Sequence, residues 1–262
     1  MKFLSFWLIS ITLNLTAAPA TAGECQKVIA SAHPAYPPYH WNDGGSIVGA
    51  SVDIHKIIFS ELGIPFDAKF FGPWKRVLLN AEEGSFDFVM ALKKTPARQA
   101  YLNFTEAPVF PNPFSVFVER TSLFPFEKWE DLVGKTGGKN AGDRYGQEFD
   151  EFANEALTIE DALTPELNYK KLIAGRIDYF IHSRYSGAAF LSTFGHGHLV
   201  TTLDKNINEG YIHSGFSKNS SCSELLPYLN KRYKELLEDG TAERLLNRNV
   251  LRWKEFVEEK GQ

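Results

Sequence analysis

The stretch Lys93-Lys94-Thr95-Pro96-Ala97-Arg98 brings cations, a helix-capping hydroxyl and a proline together at the end of an apolar run. Thr95 can accept a hydrogen bond at a helix start, and Pro96 suits the first helical position, where no N–H is needed. Arg98 then projects from that first turn, beside unpaired backbone N–H groups at a positive helix end. A strand ending in such a turn is a ready anion site, and a guanidinium there can hold a carboxylate with two parallel hydrogen bonds. A solvated surface arginine, or one in a structural ion pair, would show the same spacing.

The elements around this turn must position it. Phe86–Leu92 is apolar except for Asp87 and has no helical stripe, so it reads as a buried strand. Before it, Lys27–Ala32 reads as a strand that runs into His33-Pro34-Ala35-Tyr36-Pro37-Pro38-Tyr39-His40-Trp41. Its prolines make that segment a rigid loop presenting aromatics. Asn42-Asp43-Gly44-Gly45 is a hairpin-type turn. Ser51 is expected to cap a helix carrying Ile54, Ile57, Ile58 and Leu62 at helical spacing, ended by Gly63. Ile64–Phe71 is a strand, and Gly72-Pro73 opens a helix with Trp74, Val77, Leu78 and Ala81 on one face. This strand–helix alternation predicts a parallel α/β unit, with ligands bound beyond the carboxyl ends of its strands. The aromatic loop and Thr95–Arg98 both fall at that end.

A second unit follows Phe114–Glu119 and rhymes with the first. Gly84-Ser85-Phe86-Asp87 corresponds to Gly175-Arg176-Ile177-Asp178, each a helix-ending glycine with an aspartate three residues on inside an apolar strand. Asp87 and Asp178 are expected to be structural acceptors for backbone N–H groups. Tyr211–Phe216 reads as a returning strand. Leu225, Leu226, Leu229, Tyr233, Leu236 and Leu237 form the stripe of a helix closed by Gly240, and Thr241 caps one more. The charged tail from Lys254 is expected to be solvated.

Bulk properties narrow the function. The 262 residues are 44% hydrophobic, enough for one large core or two smaller ones, and the net charge of −4 offers no basic excess for nucleic acid. Lys2, the apolar Phe3–Leu15 and Ala20-Thr21-Ala22 read as an export signal over residues 1–22, cleaved near Ala22. The apolar stretch is shorter than the ~20 residues a spanning helix needs. Two cysteines, Cys25 and Cys222, permit one disulfide in an exported chain; two free or buried thiols are the alternative. No Cys/His cluster has zinc spacing, and His196-Gly197-His198 reads as a loop. No cofactor is expected.

In order along the chain, these pieces resemble the family 3 extracellular solute-binding proteins. Tyr36-Pro37-Pro38-Tyr39 resembles the family's Tyr-Pro-Pro-aromatic loop, and Gly49 to Ile54 its first helix start. Trp74, Gly84-x-x-Asp87 and Thr95-Pro96-Ala97-Arg98 fall at its Trp, Gly-x-x-Asp and Thr-Pro-x-Arg positions. Leu172 to Ile181 is similar to its second-lobe Gly-Arg-x-Asp segment, and Leu236 to Leu246 to its terminal helix pair. The resemblance implies a two-lobed α/β periplasmic-binding-protein fold of type II, hinged at two crossings near Phe114–Thr121 and Asn206–His213. Lobe 1 would comprise residues 23–115 and 210–262, and lobe 2 residues 116–209. It implies a periplasmic monomer that delivers a small carboxylate-bearing solute to the membrane permease of an ABC transporter. Arg98 would hold the ligand carboxylate, with Tyr39 and Trp74 as walls.

The sequence also departs from the family pattern. The second-lobe acid that pairs with a ligand ammonium reads Ser183, and Met90, Ala91 and Lys93 replace small hydroxyl residues before the arginine. Lys93 near Arg98 would favour a second negative group on the ligand, unless its ammonium snorkels to water. Ser183 and Asp143 are the expected second-lobe contacts, and Asp143 or Glu209 could replace the lost acid. Two other readings remain: a cyclohexadienyl-dehydratase-like enzyme with Lys93 as general acid, and a sensing module with a membrane signalling partner.

Overall fold

The computed structural model describes residues 25–260 apart from 142, 144 and 196. The export signal and its cleavage point lie outside the described residues, as does His196 of the expected loop. Among the described residues no helix is long and apolar enough to cross a membrane.

Two sheets carry the fold. In the first, the strand order is Phe66–Ala68, Val28–Ser31, Phe88–Leu92, Tyr211–Ser217, Leu102–Phe104. The first three strands are parallel, and Tyr211–Ser217 runs antiparallel to both of its neighbours. The second sheet has Thr158–Ala162, Thr136–Asn140 and Tyr179–Ser183 in parallel, then Phe114–Glu119 and Val200–Asn208 added antiparallel. Both sheets are covered on both faces, which is why Phe88–Leu92 is apolar and buried throughout and Tyr179–Ser183 begins as a buried apolar run. Phe88 and Met90 face one core, Val89 and Leu92 the other; Tyr179 and Ile181 are likewise opposed to Phe180.

The rhyme between the two halves has a structural basis. Asp87 donates its N–H to Ile29 O at 2.9 Å and accepts from Ile29 N–H through Oδ2 at 2.9 Å. Asp178 makes the same two bonds with Thr136, both at 2.7 Å. Each aspartate clips its strand to the neighbouring parallel strand at the point where that strand begins, as the structural acceptors expected.

The helix Ala50–Glu61 is capped by Gly49, not Ser51. Gly49 has φ +120°, and a Cβ there would sit 2.6 Å from Tyr39 O, so only glycine fits. Ser51 therefore falls inside the helix, where its Oγ lies 3.0 Å from His40 Nδ1. The charged residues of the tail from Lys254 are exposed, as expected. Thr241–Lys260 is one helix, and Trp253 and Phe256 near its end pack on buried Trp41, with ring centroids 5.4 and 6.0 Å away. The same helix packs against Arg184–Thr193 beside the second sheet.

The chain leaves the first sheet after Phe110–Pro111 and enters the second at Phe114, which pairs with Ser183 and Asn208. It returns between Asn208 and Tyr211. The first crossing thus precedes Phe114 rather than following it. The two crossings touch: Asn112 N–H donates to Gly210 O at 2.6 Å, and a Cβ on Gly210 would meet Asn112 O at 2.3 Å. Away from this region, Cys25 and Cys222 form a disulfide with Cα atoms 4.7 Å apart.

Candidate functional site

The strand Phe88–Leu92 ends in an irregularity that opens toward the second lobe. Ala91 has φ +44°, where the partner strand shifts register between His213 and Gly215. Ser214 Oγ accepts the Ala91 N–H at 3.1 Å and holds this strained residue in place. Thr95 Oγ1 accepts from Arg98 N–H at 3.4 Å, and Pro96 occupies the first position of the short helix Pro96–Gln99. One Arg98 Nη1–H is spent on Lys93 O at 2.7 Å, which bends the guanidinium back over the turn. It lies 5.5 Å from the centroid of the Trp74 ring. Burial pulls the Arg98 pKa down, and among the described residues Tyr101 is the group that opposes this, not a carboxylate. Arginine stays charged regardless, so among the described residues the site holds a partly desolvated cation without an acid beside it.

Arg98, Lys93 and Trp74 line a cavity of about 570 Å³ between the two lobes. From the first lobe, His33, Tyr36 and Ala91 complete the wall; from the second, Phe114, Asp143 and His182 face them. Lys93 is solvent-exposed, yet its ammonium turns back over the Phe114 ring, 4.7 Å from the centroid, and so reaches across to the other lobe. Desolvation lowers its pKa, and Asp143 across the cleft opposes that. Asp143 is pushed up by burial, while Asn140 and Lys93 hold it down.

Two expected contacts are elsewhere. Tyr39 is fully buried, its hydroxyl 2.8 Å from Pro111 O, and does not line the cavity. Tyr36, stacked on it with ring centroids 5.1 Å apart, forms the wall instead. Ser183 is buried too, and its Oγ donates to Asn112 Oδ1 at 2.6 Å rather than facing the cavity. Strand alternation explains the substitution: Ser183 shares the face of Tyr179 and Ile181, while His182 turns the other way, into the cleft. Glu209 accepts from Asn206 Nδ2 at 2.9 Å and does not line the cavity.

Sequence reasoning missed His33, His182 and Asn112. The strand parity of His182 could have been read. Asn112 stands between Pro111 and Pro113, a hint of a fixed crossing, but its role needs three partners brought from afar. Its Oδ1 lies 2.6 Å from Ser183 Oγ and 3.2 Å from the hydroxyls of both Tyr36 and Tyr39. Since Tyr39 has a single proton and a shorter bond to Pro111 O, the two lone pairs of Asn112 Oδ1 serve Ser183 and Tyr36.

Two α/β lobes joined by paired crossings, with an arginine and aromatic walls facing the gap between them, define a hinged solute-binding protein of the type II periplasmic-binding-protein fold. The profile of the bacterial extracellular solute-binding proteins, family 3, matches residues 28–251, and the chain belongs to that family. Its members bind solutes outside the cytoplasm and are not enzymes. Among curated proteins, the "Probable amino-acid-binding protein YxeM" of Bacillus subtilis is 21% identical over 210 residues, covering 79% of this chain and 78% of its own. Among solved structures, the open substrate-binding domain 2 of Lactococcus lactis GlnP is 19% identical with a TM-score of 0.69, covering 89% of this chain and 97% of its own. The amino acid ABC transporter substrate-binding protein AbpA of Streptococcus pneumoniae, bound to L-arginine, is 20% identical with a TM-score of 0.58, covering 87% and 96%. The likeness to these two structures is one of fold.

Proposed function

We propose that this protein captures a small carboxylate-bearing solute, an amino acid or a close relative, and delivers it to the membrane permease of an ABC transporter. The observation that carries the reading is Arg98: a partly desolvated guanidinium at a helix start, against Trp74, facing the cavity with no carboxylate perturbing it among the described residues. Such a group has its hydration stripped in advance and gains most from a ligand carboxylate. The amino-acid-binding and ABC-transport descriptions of the relatives support the same assignment. Periplasmic location after export and a monomeric state belong to this proposal.

The binding step needs only this chain's own groups. Arg98 fixes a carboxylate, Tyr36 and Trp74 enclose the ligand, and rotation about the Asn112–Gly210 contact would bring Asp143 and His182 onto it. The test is calorimetry or thermal shift with a panel of free amino acids on wild type and Arg98→Ala. Wild type should bind at least one compound, and the variant should lose roughly tenfold or more in affinity, the value of a charged hydrogen bond. An Arg98→Ala protein that keeps its affinity would overturn the site.

A further inference from the structure

Counting the described charged side chains on the cavity wall gives two cations, Arg98 and Lys93, against one carboxylate, Asp143. The histidines do not add to the positive side. His33 Nδ1 accepts the Ala35 N–H at 3.0 Å, so its proton sits on Nε2. His182 Nδ1 lies 3.5 Å from Asn140 Nδ2, a group that can only donate; the Asn140 amide is oriented by Asn168 Nδ2, which donates to its Oδ1 at 3.2 Å. Burial lowers the His182 pKa to about 4, so this ring is also neutral near pH 7. Among the described residues the cavity wall thus carries one surplus positive charge, and the third lining histidine, His40, is buried, with desolvation holding its pKa well down.

The charges are also arranged. Arg98 and Lys93 share one wall, joined through the bond from Arg98 Nη1 to Lys93 O. Asp143 faces them from the loop after Thr136–Asn140 in the other lobe. Lys93 sits with its ammonium over Phe114 of that opposite lobe, so it stands in the cleft rather than pointing to bulk water.

Resting on the amino-acid reading above, we infer that the ligand is an acidic α-amino acid, with one carboxylate on Arg98, its ammonium toward Asp143 and its second carboxylate on Lys93. Every charge on such a ligand meets an opposite one, and its net charge of −1 cancels the surplus of the wall. A side-chain amide offers Lys93 a dipole in place of a charge. A dicarboxylate without the ammonium leaves Asp143 facing an anion. A basic amino acid adds a third cation to the two already present.

The test is isothermal titration calorimetry at pH 7 on the purified chain with L-aspartate, L-glutamate, L-asparagine, L-glutamine, L-arginine and glutarate. At least one acid should bind roughly 10- to 100-fold tighter than its own amide, and tighter than L-arginine or glutarate. Lys93→Met, checked for an unchanged melting profile, should bring the acid down to the level of the amide. An amide or L-arginine that binds as tightly as the acids, or glutarate that outbinds them, overturns the inference while leaving Arg98-based capture standing. The same holds if Lys93→Met keeps the acid-to-amide ratio. If neither acid binds, this inference falls, and the wider amino-acid panel on wild type and Arg98→Ala decides separately whether the amino-acid reading stands.

Discussion

Ser183 Oγ donates to Asn112 Oδ1 at 2.6 Å, tying the end of a central second-lobe strand to the crossing that leaves the first lobe. The same acceptor takes the hydroxyl of Tyr36, a wall of the cavity, so the hinge and the ligand wall share one oxygen. Ser183→Ala should cost about 1 kcal/mol of stability, the worth of one buried hydrogen bond, and Asn112→Ala more, since it strands two donors. A double-mutant cycle by urea unfolding should show coupling of roughly 0.5 kcal/mol or more. Additive effects would mean that the bond does not hold the hinge.

Tyr36 and Tyr39 should part company under mutation. Tyr36→Ala removes an aromatic wall and should weaken ligand binding by roughly tenfold, in line with the worth of an aromatic contact plus its burial. Tyr39→Phe deletes only a buried hydroxyl on Pro111 O and should cost about 1 kcal/mol of stability, with affinity little changed. Titration calorimetry and urea unfolding on both variants check this.

The Cys25–Cys222 bridge closes a loop with a sequence separation of 197 and lies away from the cleft. Reduction, or Cys25→Ser with Cys222→Ser, should lower unfolding free energy by about 2–4 kcal/mol and leave the dissociation constant unchanged. Denaturation with and without reductant measures the first, and calorimetry the second.

Stability should fall on acidification through His55. Its ring is fully buried, with Nδ1 against Ser51 O and Nε2 against the Tyr233 hydroxyl, and burial lowers its pKa to about 4. The unfolded chain takes up this proton near pH 6.5 and the folded chain only near 4, so the contribution is complete above pH 6.5 and is lost as pH falls to 4. The loss amounts to about 3 kcal/mol. A His55→Asn variant should be less stable at pH 7 and should lose less between pH 7 and 4.5 in urea titrations.

Much of the architecture was present in the sequence because it is written locally. The apolar run Phe86–Leu92, the Thr95-Pro96 helix start and the helix-ending glycines at 84 and 175 are short-range signals with short-range causes. So is the cap that places Arg98, since Thr95 and Arg98 are neighbours on one turn. Gly49 was legible only in part: its left-handed backbone could be suspected, but Tyr39 O lying against it could not.

Which aromatic faces the ligand, and which second-lobe side chain does, was settled by tertiary structure. Tyr36 and Tyr39 are the same residue type three positions apart, and only the packing of Asn112 and Pro111 against them separates wall from core. Ser183 stood where an acid was expected, but a hydroxyl small enough to reach Asn112 is drawn into the hinge, and His182 takes the open face. Propensity and capping act over a few residues, so the chain alone determines them. A cleft is made by groups far apart in sequence, here Arg98 and Asp143, and the meeting of two separately folded sheets decides what they can hold.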